Sequence, residues 1–170
     1  MSKLIMNKTM VDLLKKLNIN NFTEENIELK IRNIFNKYFS NIIKMDNCIL
    51  LHNNEYIIKF NKEDIIKQYG SFSAFEDANN HIHIYDILNC KLIDTIKYGL
   101  LLKDLLKNKL INQFNDEKIV IVLTCDGKFK LNTILRFYKY REDEKELYDQ
   151  KLINSFDKCK YKTGFIIEKI

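Results

Sequence analysis

The chain has 170 residues, a formal net charge of +5 and a hydrophobic fraction of 46%. That length suits one domain with a sizeable core, and that fraction weighs against intrinsic disorder. Acids are interleaved with lysines throughout and only Arg32, Arg136 and Arg141 are arginines, so the charge is not gathered into the basic face typical of a nucleic-acid binder.

Proline and tryptophan are absent. The cysteines, Cys48, Cys90, Cys125 and Cys159, show none of the paired spacings of zinc or redox motifs. Met1 to Met10 has no sustained apolar region or small-residue cleavage site, and no apolar run reaches the length of a membrane span. The expectation is a cytoplasmic protein whose cysteines stay reduced and pack as small hydrophobes.

Along the chain, Thr9 with Asp12 three positions on reads as a helix start, followed by the apolar face Met10, Leu13, Leu14 and Leu17. Thr23 opens a second helix, with Glu24 and Glu25 in the first turn, Phe22 and Ile27 at staple positions, and Ile27, Ile31, Ile34, Phe35, Tyr38 and Ile42 on one face. Cys48 to Phe60 reads as a hairpin about Asn53-Asn54, with Ile49, Leu50 and Leu51 on one arm and Tyr56, Ile57 and Ile58 on the other.

Asn61 is placed to cap a short helix over Lys62 to Gln68 that ends at Gly70. Ser71 to Asn80 reads as a loop. His81 to Ile87 alternates like a strand, and Lys91 to Tyr98 leans the same way. Leu101, Leu102, Leu105, Leu106, Leu110 and Phe114 form a helix stripe.

Lys118 to Arg141 carries the clearest strand–turn–strand signal. Ile119 to Leu123 is continuously apolar, as in a central strand covered on both faces. Asp126-Gly127 supplies a tight turn. Beyond it, Phe129, Leu131, Thr133, Leu135 and Phe137 alternate with Lys130, Asn132, Ile134, Arg136, Tyr138 and Tyr140. A charged run follows from Arg141 to Glu146, then a short helix about Leu147, Tyr148 and Leu152 with Phe156 on its buried side, then a last strand at Phe165 to Ile167. The whole predicts a single α+β domain over 1–170: an N-terminal helical hairpin packed on a mostly antiparallel β-sheet, with one further helix around 100–114.

Several groups invite a chemical reading. His81 and His83 lie two apart on a predicted strand and so share a side, the arrangement of two imidazoles on one metal. Their competitor is a half-exposed strand whose histidines face water, and the third ligand has no obvious source beyond His52 or Glu76. Glu76, Asp77 and Asp86 are carboxylates of the kind used in acid–base or Mg²⁺ chemistry, though acids near loops are more often solvated. Cys125 lies just before the turn, but a nucleophilic cysteine needs a nearby histidine, and packing is the simpler account. The isolated Gly70, Gly99, Gly127 and Gly164 make no phosphate loop. Arg136, Tyr138 and Tyr140 share a strand face with Arg141 at its end. These residue types anchor protein interfaces and also stack on single-stranded RNA.

The segment Asp126 to Arg141, its stretch Arg136-Phe137-Tyr138-Lys139-Tyr140-Arg141-Glu142, the following Glu144, Leu147 and Leu152, and the terminal Phe165-Ile166-Ile167 together resemble the C-terminal part of small bacterial immunity proteins that accompany polymorphic toxins. The resemblance implies a non-catalytic, stoichiometric inhibitor that folds in the cytosol, needs no cofactor, and occludes a cognate protein toxin. Arg136, Tyr138, Tyr140 and Arg141 are the expected partner-binding residues. The alternatives are a small metal-dependent hydrolase built on His81 and His83, or a nucleic-acid-binding regulator. No membrane partner is expected.

Overall fold

The computed structural model describes residues 3–17, 25–52, 61–88, 90, 92–126, 133–160 and 162–170. In chain order the elements are β1 (Lys3–Met6), α1 (Lys8–Leu17), α2 (Glu25–Phe39), β2 (Ile42–Met45), β3 (Cys48–Leu51), α3 (Lys62–Tyr69), α4 (Phe72–Asn79), β4 (His81–His83), α5 (Ile84–Leu88), α6 (Leu92–Gln113), β5 (Ile119–Asp126), β6 (Thr133–Lys139), α7 (Gln150–Ser155), a 3-10 turn (Phe156–Lys158) and β7 (Thr163–Lys169). This is an α+β fold. A five-stranded sheet runs β1-β7-β5-β6-β4 with every pair antiparallel, and β2 and β3 make a separate two-stranded sheet.

The continuous apolar run explains why β5 is the middle strand. Ile119, Ile121, Leu123 and Cys125 face one layer and Val120 and Val122 the other, all of them buried. On the first face lie α1, α2 and α6. Ile96, Leu102, Leu106 and Leu110 of α6 are fully buried there, with Ile31 and Phe39 of α2 and Met10 of α1. On the second face, Ile153, Tyr148 and Phe156 of the segment after β6 pack with Val120, Val122, Tyr138, Phe165 and Ile167.

α6 sits close to the sheet. Thr95 and Thr133 share a hydrogen bond at 2.8 Å between hydroxyls. A Cβ on Gly99 would stand 2.9 Å from Thr133 Cγ2 and 3.0 Å from Leu123 Cδ1. The Thr133 methyl cannot swing aside without losing that hydroxyl bond. Lys103 and Lys107 tie the helix to β7, each placing its ammonium 2.5 Å from a Glu168 oxygen.

Several expectations are corrected. A strand, β1, precedes the first helix, and α1 is capped not by Thr9 with Asp12 but by Asn7, whose Oδ1 accepts from Met10 N at 3.1 Å. Asn7 is buried because it also accepts from Phe165 N at 2.9 Å and donates to Thr163 O at 2.8 Å, so it joins the helix start to β7. Asp157 receives the Thr9 amide at 2.9 Å and the Thr9 hydroxyl at 2.5 Å. Thr23, Phe22 and Glu24 lie outside the described residues. α2 ends at Phe39, so Ile42 belongs to β2 rather than to the helix face.

A hairpin that the sequence pattern did not indicate precedes the expected one. β3 is its second arm, and Asp46-Asn47 makes the turn with Asp46 at φ 51°; Asn53 to Phe60 lie outside the described residues. Ser71 to Asn80 is no loop: the Ser71 side chain accepts from Ala74 N and starts α4. The strand at His81 stops at His83, and 92–98 begins α6. α3 matches its sequence signals, with Asn61 as its cap and Gly70 at φ 79° closing it. The last helix starts at Gln150, so Leu147 and Tyr148 precede it, and Ile153 rather than Leu152 is its buried anchor.

The long hairpin is present, but Asp126-Gly127 is not its two-residue turn. Such a turn would put Lys128 opposite Cys125, whereas Cys125 faces Thr133, and Asp126 pairs with Thr163 of β7. Residues 127–132, Phe129 to Asn132 among them, lie outside the described residues. Among the described residues, no helix is long and apolar enough to cross a membrane.

Two predictions follow from the α6 contacts. Gly99→Val forces a branched side chain against Thr133 and Leu123 and should cost about 2–4 kcal/mol in urea denaturation, overpacking added to a poor helix former. Glu168 gives the pH dependence. Burial raises its carboxyl and is the largest single influence, but the Lys103 and Lys107 hydrogen bonds together hold it below its ordinary 4.5. A depressed carboxylate stabilises the fold fully above that ordinary value and loses the contribution as pH falls through the folded value. Glu168→Gln should therefore lower the urea midpoint near neutral pH and reduce the further loss seen on going below pH 4.5.

Candidate functional site

Two neighbouring carboxylates on α4 organise the β6 end of the molecule. Glu76 is fully buried. Its Oε1 accepts from Ile49 N at 2.6 Å and Arg141 Nη2 at 3.1 Å; its Oε2 accepts from Lys139 N at 2.8 Å and Arg141 Nη1 at 2.9 Å. Arg141 also donates to Asn47 O at 2.6 Å, Lys139 O at 3.0 Å and Ser73 Oγ at 3.2 Å. One turn on, Asn80 accepts from Leu51 N at 2.7 Å and donates to Ile49 O at 2.7 Å and Phe137 O at 3.1 Å. Side chains four apart on one helix face thus stand where a strand between β3 and β6 would otherwise be. Glu144 closes the start of α4, accepting from Phe72 N at 3.0 Å and Ser73 N at 2.8 Å.

Asp77 points to the second sheet face. Its Oδ2 accepts from Tyr148 OH at 2.9 Å and Arg136 Nη1 at 3.2 Å, and Arg136 Nη1 reaches Tyr148 OH at 3.3 Å. Burial raises the Asp77 carboxyl, opposed by Arg136, by Tyr148 and by the charge of His81. Asp77 Oδ1, Arg136 Nε and the Tyr138 hydroxyl are buried and have no hydrogen-bond partner among the described residues.

β4 is the sheet's edge and brings the histidines to the same place. Its register sets His81 opposite Arg136, Ile82 opposite Leu135 and His83 opposite Ile134. Ile82 and Leu135 enter the core. His81, His83, Ile134 and Arg136 therefore share the second face. His81 is exposed and the other three half-exposed. The imidazole centroids of His81 and His83 lie 5.3 Å apart. His81 Nδ1 is 2.6 Å from Ala78 O, and a carbonyl only accepts, so Nδ1 carries the proton in the neutral ring.

The structure joins Arg136 to the histidine pair and separates it from the rest of the expected Tyr/Arg strip. Tyr138 is 2% exposed and Arg141 8%. Neither is an open contact residue. The segment after β6 folds back across Tyr138, whose ring lies 6.3 Å from that of Tyr148, while Arg141 leaves the strand end for Glu76 and sits 5.6 Å from the Phe72 ring. Tyr140 is half-buried, with the Lys169 ammonium 5.0 Å from its ring centre.

Of the carboxylates considered for acid–base or metal chemistry, Glu76 and Asp77 are taken up by arginines, so Glu76 does not complete a metal site, and Asp86 lies exposed on α5. Among the described residues there is no group of three or more His, Cys, Asp or Glu side chains placed to hold a metal. Cys125 is buried, its thiol pushed up to about 11 by burial, and Thr133 donates to its sulfur at 3.7 Å. That is a packed thiol rather than a nucleophile. Sequence reasoning missed Tyr148 as a partner of Asp77 and Arg136. It also missed the buried polar stripe Ser73, Glu76, Asp77 and Asn80, whose helical spacing was the one available signal.

The two arginines differ in what they hold. Arg141→Met would leave Glu76 buried without its counter-charge and should cost about 3–5 kcal/mol in urea denaturation. Arg136→Met, at a side chain 27% exposed, should cost distinctly less.

Residues 5–161 match the model of a family described as the uncharacterized protein PM0498 family. No curated protein and no solved structure matches the chain.

Proposed function

We propose that the chain, which belongs to the uncharacterized protein PM0498 family, is a non-catalytic, cytoplasmic protein-binding inhibitor of the immunity-protein kind, and that it occludes a protein toxin. The observation that carries this reading is the Arg136 guanidinium, held by Asp77 and Tyr148 and presented beside His81 on the sheet's edge strand. A fixed arginine beside an exposed and a half-exposed imidazole and Ile134 suits a binding anchor. Arginine and aromatic groups concentrate interface energy, and a side chain already immobilised loses little further freedom on binding. The Glu76–Arg141 and Asp77–Arg136 pairs favour the same view, since their charges hold segments together. The C-terminal order of hairpin, charged link and final strand, with β7 set against β5, adds support to the resemblance.

The reading locates the contact at His81, His83, Ile134 and Arg136 rather than along a tyrosine strip. The reading predicts a toxin domain encoded beside its gene, and co-expression with that domain should restore growth of the host cell. Arg136→Glu should weaken the purified complex by at least about tenfold, or 1.4 kcal/mol, in calorimetry. Growth arrest that persists despite folded, expressed protein would refute inhibition, and unchanged affinity of the Arg136→Glu variant would refute this contact face.

A further inference from the structure

We propose that His81 and His83 form a binding site for a divalent transition-metal ion of the zinc, nickel or copper class. This goes beyond the inhibitor reading and does not depend on it.

Four observations carry the proposal. The two imidazoles project from one face of a strand two residues apart, and their neighbours across the ladder are Arg136 and Ile134. Their centroids are 5.3 Å apart and their planes meet at 73°. With zinc–nitrogen bonds of about 2.0–2.1 Å, a ring centroid lies about 3.2 Å from the ion, so two rings at a tetrahedral angle have centroids about 5 Å apart. The His81 Nδ1–H donates to Ala78 O, which fixes the tautomer and leaves Nε2 as the lone-pair nitrogen. Metal-bound histidines recurrently show this second hydrogen bond. Finally, His81 is exposed on the edge strand, so an ion reaches it without opening the core.

The charge beside the pair is compatible with a cation. Arg136 is the cross-strand neighbour of His81, but its guanidinium is paired with Asp77. The imidazoles also set the choice of metal. Neutral imidazole suits zinc, nickel and copper, whereas magnesium and calcium take oxygen ligands. Since no third such ligand joins the pair among the described residues, the coordination is completed by water or by a group brought by a bound partner. This distinguishes it from the three-ligand centre of a zinc hydrolase.

The test is calorimetric titration of untagged protein with ZnCl2, NiCl2 and MgCl2, with circular dichroism of each variant as the check on folding. Zinc and nickel should bind saturably, one per chain, and magnesium should not. His81→Gln and His83→Gln, both at surface positions, should each weaken zinc binding by at least about tenfold. Cys159→Ser, which removes the exposed thiol, should leave it unchanged. No saturable zinc binding below about 1 mM would overturn the proposal. So would zinc binding that survives both histidine changes or disappears with Cys159→Ser.

Discussion

The structure depends most on a carboxylate in a dry place. Glu76 receives four hydrogen bonds: two from backbone amides on separate strands and two from one arginine. Both of its oxygens are satisfied, the condition under which a buried charge is tolerated at all. The arrangement does more than neutralise. Ile49 belongs to the two-stranded sheet and Lys139 to the end of β6, and among the described residues no strand bridges them. With Asn80, Glu76 supplies the bridge from a helix. A buried ion pair is weak grounds for net stability when compared with a well-packed apolar replacement. Here the apolar replacement is not equivalent, because it would strand the Ile49 and Lys139 amides as well as Arg141.

That polar joint also explains which parts of the fold were legible in the sequence. β5, the strand part of β6, β7, α3 and the Leu-rich part of α6 follow from local signals: a run apolar on both faces, period-two alternation, a cap and a terminal glycine. α4 did not. Ser71 to Asn80 offers Ser73, Glu76, Asp77 and Asn80 at helical spacing, but a polar stripe looks solvent-facing unless its partners are known, and these partners lie near residues 49, 139 and 141. β1 and β2 are four-residue strands whose identity comes from pairing with distant or neighbouring chain, not from a pattern of their own. The Asp126-Gly127 signal misled in a related way: β5 continues through Asp126 because β7 offers it a partner.

The fate of Arg136 to Arg141 shows the same limit at the candidate site. Period-two geometry sent Arg136 and Tyr138 to one face, as their spacing indicated. What spacing could not convey is that the chain doubles back over that face. Tyr148, Ile153 and Phe156 cover Tyr138, and Arg141 escapes the alternation altogether once the strand ends. The lone pair-bearing His81, two strands from the centre, was visible as a histidine pair, but its neighbourhood to Arg136 needed the β4–β6 register.

The open part of the second face is then a consequence of where its cover stops. The returning segment lies over β5, β7 and the Tyr138 end of β6, with Tyr148 its outermost contact toward β4 through Asp77 and Arg136. β4 is only three residues long and turns directly into α5. A short edge strand resists unwanted pairing along its backbone, which shifts recognition onto side chains. Those side chains are two imidazoles and an arginine held in place by a carboxylate whose burial is set by the same helix that carries Glu76. The scaffold and the exposed face thus meet in one turn of α4: Glu76 on the side that joins the sheets, Asp77 on the side that steadies the groups a partner or an ion would touch.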